Sequence, residues 1–367
     1  MAADAPASIG VIGASWRAQY YLRAARELPQ HFAVTRVLVR SNESAERVST
    51  DWGVPATTSM SNFLAAGPYD YVVVSVPPDV VSDVTRTVID AGFPVLSETP
   101  PAPSVDELFE LYRAVGTAPI QVAEQYQFQA HHAARLALVA DGTIGEVNGV
   151  RVSAAHGYHG VSLVRFALGV GFDAVTVTAQ QLTDPVVSAR GRDAWNEVAT
   201  QYDSGRTLAL LRFGSKSAIY DFNFEQYFSP IRSRHIDIYG TTGEINDDQV
   251  SYLTSPGHAS HSTLNRESTG VNGDLEGFFL RRVALGEKVL FENRFIQARL
   301  NDDELAVAEI MHRMTRYVRG GAPFYGLADA SQDQYLSLLI NRAAETGEAL
   351  ATRDTPWMSE PSAATRG

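Results

Sequence analysis

The sequence predicts an α/β protein of two domains. The first is a doubly wound parallel sheet. The second is an α/β domain built on a large, mainly antiparallel open sheet. Three observations lead there. Apolar strand-like runs alternate with amphipathic helical segments, on short connections, through roughly the first 122 residues. From Gly145 long strand-like runs take over, separated by turn-rich segments. A length of 367 residues also suits about two domains of ordinary size. The expected division is 1–122, 123–357 and a flexible tail over 358–367.

The elements follow in order. S-I-G-V-I at 8–12 is a short apolar strand that ends at Gly13. A helix over 18–27 places Tyr21, Leu22 and Ala25 on one face. The β-branched run 32–39 is a second strand, and 44–52 is helical. The run 69–76 is a buried-type strand closed by Pro77-Pro78, followed by a helix over 79–91 that stops at Gly92. Another strand spans 94–97. A helix over 104–115 is capped by Ser104, with Glu107 completing a capping box. In the second half, strands are expected at 147–153, 174–180, 207–213, 217–223 and 235–239, with one helix near 162–168. The polar stretch 246–272 reads as a loop or hairpin excursion. Asn301 with Glu304 starts a helix that runs to about Val318, and a last helix spans 327–346 up to Gly347.

Composition narrows the function classes. The chain is 45% hydrophobic and 20% charged, with a net charge of −12. That balance argues against nucleic acid or an anionic membrane as partner. There are no cysteines, which removes disulfides and thiolate metal sites. No apolar run reaches the ~20 residues needed to span a bilayer. The small, acidic segment 1–8 lacks the basic start of a signal peptide, so the cytoplasm is the expected location. Only Lys216 and Lys288 are lysines; arginine supplies the other positive charges.

The first strand–turn–helix reads I-G-V-I-G-A-S-W-R-A. A dinucleotide-binding turn of Rossmann type needs three small positions. One makes the turn, one lets backbone approach pyrophosphate, and one lets helix pack on strand. Gly13, Ser15 and Ala18 fill them, and Trp16 and Arg17 complete the turn. At the end of the second strand an acidic residue would favour the ribose hydroxyls of NAD; Val39 stands there instead. Arg40 and Ser41 suit a 2′-phosphate, so NADP is the expected cofactor, with NAD as the alternative.

At this point the chain resembles the glucose–fructose oxidoreductase/inositol dehydrogenase (Gfo/Idh/MocA) family. The resemblance rests on I-G-V-I-G at 9–13, V-V-V-S-V-P-P at 72–78 and A-G-F-P-V-L-S-E-T-P at 91–100. It continues through H-G-Y-H-G-V-S-L-V-R-F-A-L-G at 156–169, I-Y-G-T-T-G-E-I at 238–245 and L-A-D-A-S-Q-D-Q-Y at 327–335. It implies an NAD(P)-dependent oxidoreductase acting on the CH–OH group of a sugar, cyclitol or sugar derivative, assembled as a homodimer or homotetramer. It also implies cofactor contacts at Val76, Pro77, Glu98, Thr99, Pro100 and Gln125. Two departures stand out. The family's E-K-P lysine is Thr99 here, and the aspartate of its D-x-G-x-H motif is Ala155.

The motif's histidine remains as His159, the first candidate for the base that takes a hydroxyl proton near neutral pH. His156 precedes it by three residues; Tyr158 and Tyr126 are candidate relays or hydroxyl-binding groups. Glu124 lies beside Gln125 in V-A-E-Q-Y-Q-F, Arg165 is expected to be structural, and His131-His132 to be packing or surface residues. The H-x-x-H spacing invites a metal, but no third ligand is fixed by sequence, so none is expected. Two other readings stay open. One is a bound-cofactor epimerase or eliminase on a sugar. The other is a non-catalytic nucleotide- or sugar-binding regulator.

Overall fold

A computed structural model of the chain describes residues 5–191, 194–272, 274 and 276–365. It falls into two compact units. The first comprises Met1–Ala130, Glu267–Arg282 and Glu292–Ser331; the second comprises His131–Arg266, Val283–Phe291 and Gln332–Gly367.

The first unit holds a six-stranded parallel sheet: β1 (Ala7–Ile12), β2 (Phe32–Leu38), β3 (Ala56–Thr57), β4 (Tyr71–Val74), β5 (Val95–Ser97) and β6 (Ile120–Val122). Their order is β3-β2-β1-β4-β5-β6, so the winding reverses between β1 and β4. The residues of β4 are all buried, as a strand covered on both faces requires. The connecting helices are α1 (Ala18–Glu27), α2 (Asn42–Trp52), α3 (Met60–Ala65), α4 (Pro78–Asp90) and α5 (Val105–Val115). The short β3 and α3 were not foreseen, because 2 and 6 residues are too few to show a period. Ser104 caps α5 by accepting a hydrogen bond from the Glu107 amide, as its spacing predicted.

The edge strand β6 is covered. The Gln121 side-chain oxygen accepts hydrogen bonds from the amides of Phe324 and Tyr325, at 2.9 Å each, and the Val122 amide donates to the Tyr325 carbonyl.

Next along the chain come α6 (Ala130–Ala140), β7 (Val147–Ser153), α7 (Gly157–Leu168), β8 (Thr176–Arg190), β9 (Trp195–Phe213), β10 (Lys216–Asn223), β11 (His235–Gly240) and β12 (Gly243–Asn246). Then follow β13 (Gln249–Ser255), β14 (His258–Thr269), β15 (Phe279–Leu285), β16 (Lys288–Glu292), α8 (Asp302–Val318), α9 (Leu327–Thr346) and β17 (Leu350–Ala351). Asn301 and Glu304 form the capping box expected at the start of α8. The eleven-stranded sheet runs β16-β15-β14-β13-β12-β11-β7-β10-β9-β8-β17. The β7–β10 pair is parallel; β10–β9, β8–β9 and β7–β11 are antiparallel. The expected class, a parallel sheet followed by a large and mainly antiparallel one, is observed.

Three details differ from expectation, and one open alternative is resolved. The β8–β9 hairpin is far longer than 174–180 and 207–213, because Thr183, Asp184, Pro185 and Ser204 read locally as turn residues yet sit in paired strands. The stretch 246–272 takes its hairpin form as β13–β14. Helix α6 and the strands β6, β12, β15, β16 and β17 were not anticipated. The segment expected as a flexible tail packs in the second unit: Ser362 is 3% exposed and accepts a hydrogen bond from Arg165, and Ala364 is buried.

Candidate active site

In a parallel sheet every strand delivers its carboxyl end to one edge, and ligands bind there near the reversal of winding. The expected cofactor residues fall on that edge. Gly13, Ser15, Trp16 and Arg17 follow β1, Arg40 and Ser41 follow β2, and Val76 and Pro77 follow β4. Glu98, Thr99 and Pro100 follow β5, and Gln125 follows β6. Gly13 is required: its φ is +114°, and a Cβ there would lie 1.9 Å from the Ser75 carbonyl oxygen. Among the described residues no side chain caps α1, and the Gln19 and Tyr20 amides of its first turn donate to the Ser15 and Arg17 carbonyls. Ser15 and Trp16 are exposed beside them. These features fit a dinucleotide. Arg40 is exposed, whereas the Ser41 hydroxyl caps α2 by accepting from the Ser44 amide.

Arg17 and Glu98 turn inward. The Arg17 Nε donates to Glu98 Oε1 at 2.7 Å, Nη2 to Gln125 Oε1 at 2.9 Å and Nη1 to Asp303 Oδ2 at 3.4 Å. The Tyr21 hydroxyl donates to the same Glu98 oxygen at 2.5 Å, and the Thr99 amide donates to Oε2 at 3.2 Å. Burial alone would lower the Arg17 pKa, but Glu98, Tyr21 and Asp303 outweigh it and hold the guanidinium firmly protonated. Glu124 is 1% exposed and accepts from the Tyr126 amide at 3.0 Å. Burial pushes its carboxyl up to about 8, against the pull of that amide and of Arg17. Tyr126 is itself buried.

The second unit assembles its own group. Helix α7 begins at Gly157, five residues before the expected start. Two tyrosines explain this. The His156 amide donates to the Tyr227 hydroxyl at 3.0 Å and the Gly157 amide to the Tyr220 hydroxyl at 2.7 Å, so distant phenols take the amides a local cap would take. Tyr158 and His159 therefore lie in the first turn. The His156 ring lies 5.0 Å from the His159 ring and 5.3 Å from Tyr158, and stacks on Phe224 at 5.2 Å. Its Nδ1 meets the Tyr227 hydroxyl at 2.8 Å. Burial, then the neighbouring His159, pull the His156 imidazole down to about 3, so it is neutral at physiological pH. His159 is 6% exposed.

Beside this turn lies a cavity of about 440 Å³. Its walls include Gln181, Ser204, Thr207, Gln334, Ser337 and Asn341, with aromatic rings from α7, β10 and the segment after it. Among the described residues its lining contains no Asp, Glu, Lys or Arg. Arg165 has the structural place expected: it is fully buried, and donates to Asp333 at 2.7 Å and to the Gly171 carbonyl at 3.0 Å. His132 is buried beside Arg135, in accord with a packing role.

The sequence named His156, Tyr158 and His159, whose ring centroids lie 4.4–5.3 Å apart. It also grouped Glu98 with Gln125. It missed Tyr21, which read as a core residue, and Asp303, which read as one of three acidic residues opening α8. It also missed Tyr220, Phe224 and Tyr227. A run of alternating aromatics at Y-D-F-N-F-E-Q-Y was the available signal.

Residues 7–126 match the model of the Gfo/Idh/MocA family, described as an oxidoreductase family with an NAD-binding Rossmann fold. No curated protein sequence matches the chain. Solved structures share its fold over nearly its whole length. An oxidoreductase from Agrobacterium radiobacter, in complex with NAD+, L-tartaric acid and magnesium, is 18% identical with a TM-score of 0.68, over 94% of this chain and 98% of its own. Levoglucosan dehydrogenase in complex with NADH and levoglucosan is 15% identical with a TM-score of 0.71, over 95% and 100%. A myo-inositol dehydrogenase from Corynebacterium glutamicum is 15% identical with a TM-score of 0.66, over 95% and 100%. At such identities the likeness establishes the fold. Among the described residues no helix is long and apolar enough to cross a membrane.

Proposed function

We propose, from the match of residues 7–126 to the NAD-binding Rossmann module of the Gfo/Idh/MocA oxidoreductase family, that the protein oxidises a CH–OH group of an uncharged polyhydroxy compound, a sugar, cyclitol or sugar derivative. The observation that carries this is the cavity of about 440 Å³ walled by amides, hydroxyls and aromatic rings without an ionic side chain. Its volume suits a small ring compound. Amides and hydroxyls both donate and accept, as a ring of alcohols requires. A fixed charge would favour a carboxylate or an amine instead.

A dinucleotide held by the residues after β1, β2, β4 and β5 would supply the hydride acceptor. His159 takes the hydroxyl proton as base. His156 is a poor base, because it stays neutral far below pH 6.5. The His156 amide and Nδ1 both meet the Tyr227 hydroxyl, which holds the ring in place at the cavity wall. Tyr158, on the cavity wall, binds a hydroxyl, and Tyr126 is a relay candidate in the first unit. The lack of an acid after the second strand, with exposed Arg40, supports NADP over NAD. We place the active protein in the cytoplasm as a homodimer or homotetramer.

Assaying the wild type with a panel of neutral sugars and polyols tests the proposal. Net NADPH formation supports it. Substrate conversion without net cofactor change supports the epimerase or eliminase reading, and ligand binding without turnover supports the regulator. Thr99 and Ala155, where the family has a lysine and an aspartate, are the observation that keeps these two readings in the assay.

A further inference from the structure

We infer that Arg17 is a positioning residue for the cofactor: one buried guanidinium ties the phosphate turn to the segments after β5 and β6. This rests on the nucleotide-binding reading of the first unit. Arg17 is the last residue before α1, next to the exposed Ser15 and Trp16, yet its head group points away from them into the unit. It donates from three different nitrogens to three different segments: Glu98 after β5, Gln125 after β6, and Asp303 in the first turn of α8. The acceptors are themselves held. Glu98 accepts from Tyr21 and from the Thr99 amide, and Asp303 accepts from Gln129 at 3.0 Å.

Several consequences follow. All of the cofactor residues expected around Arg17 lie in loops at the carboxyl edge, and loops need an anchor to hold a ligand-ready shape. The Thr99 amide is fixed through the carboxylate that Arg17 grips, so a shift of Arg17 moves the Thr99-Pro100 corner and the Gly13–Trp16 turn together. The position after Glu98 holds Thr99 and carries no charge of its own. The cation for Glu98 comes instead from the turn after β1. A planar fork is needed for this, since an ammonium is a single point and cannot hold the same three directions. Arg23 offers an internal control. It pairs with Glu304 and so also joins α1 to α8, but from the second turn of the helix and away from the carboxyl-edge loops.

The experiment measures NADPH and NADH binding by calorimetry on the full-length wild type and on Arg17→Met, Arg17→Lys and Arg23→Met, below the melting temperature of each. The expected result is wild-type binding, about tenfold or greater weakening in Arg17→Met, about threefold or greater in Arg17→Lys, and unchanged affinity in Arg23→Met despite a lower Tm. If Arg17→Met does not fold, Arg17→Lys decides. Wild-type affinity in a folded Arg17→Met, or failing that in Arg17→Lys, overturns the positioning role, as does equal weakening in Arg23→Met. If the wild type binds neither nucleotide, the cofactor reading itself falls, and this inference with it.

Discussion

The two units solve the same problem, holding polar groups away from water, in opposite ways. The first gathers ions: one arginine, Glu98 and Asp303 interlock, and Glu124 stands protonated beside them. The cavity of the second, unlike the buried Arg165–Asp333 pair elsewhere in that unit, gathers neutral groups: a histidine that resists protonation, tyrosine hydroxyls and amides. Interlocked ions hold loops in fixed geometry, which suits a cofactor with its own fixed charges. Neutral donors and acceptors match hydroxyls without selecting a charge, which suits a polyol. Under the proposed function, electrostatics distinguishes the nucleotide turn of the first unit from the cavity of the second.

The comparison can be broken in several places, beginning where the effect is largest. Replacing His159 by Asn should lower kcat by about two to four orders of magnitude. Unchanged turnover would remove His159 as base.

The pH dependence of stability comes next, and the two regions should respond with opposite sign. The Glu124 pKa is raised to about 8 from 4.5, so the folded state keeps a proton that the unfolded state releases. That stability is complete below pH 4.5 and is lost as pH rises through 8. Glu124→Gln keeps an acceptor for the Tyr126 amide and should gain a few kcal/mol relative to wild type between pH 5 and pH 9, read from denaturant unfolding. For His156, lowered to about 3 from 6.5, the stability is present above 6.5 and is lost as pH falls toward 3. His156→Gln should therefore flatten the acid side alone. A common direction in both variants would contradict the contrast.

Smaller effects sharpen it. Asn341→Asp would put a charge into the neutral cavity and should raise KM for an uncharged substrate about tenfold, with little change in cofactor affinity. Arg40→Ala should weaken NADPH by about tenfold and NADH by little; equal effects on both would end the NADP preference.

Much of this was readable in the sequence wherever the cause is local. The β1 turn, the Ser104 cap and the Asn301–Glu304 capping box need only neighbours in the chain, and each has its expected place. The start of α7 was misplaced because its cap comes from Tyr220 and Tyr227, 63 and 71 residues away. Arg17 was legible as part of a nucleotide turn, but not as an inward strut, since Asp303 is 286 residues distant. Helix α6 escaped because A-H-H-A-A-R-L-A-L-V-A carries no capping residue at its start and no clean apolar stripe. The chemistry-bearing residues of the second unit were named in part, because H-G-Y-H is contiguous. The cavity around them was not, because its walls come from five separate segments.

The most direct test of the account is turnover by the wild type with matched pairs of substrates, each neutral sugar or cyclitol set against its carboxylate and amine analogues, followed by NADPH and NADH absorbance. The account predicts cofactor reduction with neutral members and at most weak activity with charged ones. Preference for a charged analogue, or no reduction by any neutral compound that binds, would contradict it.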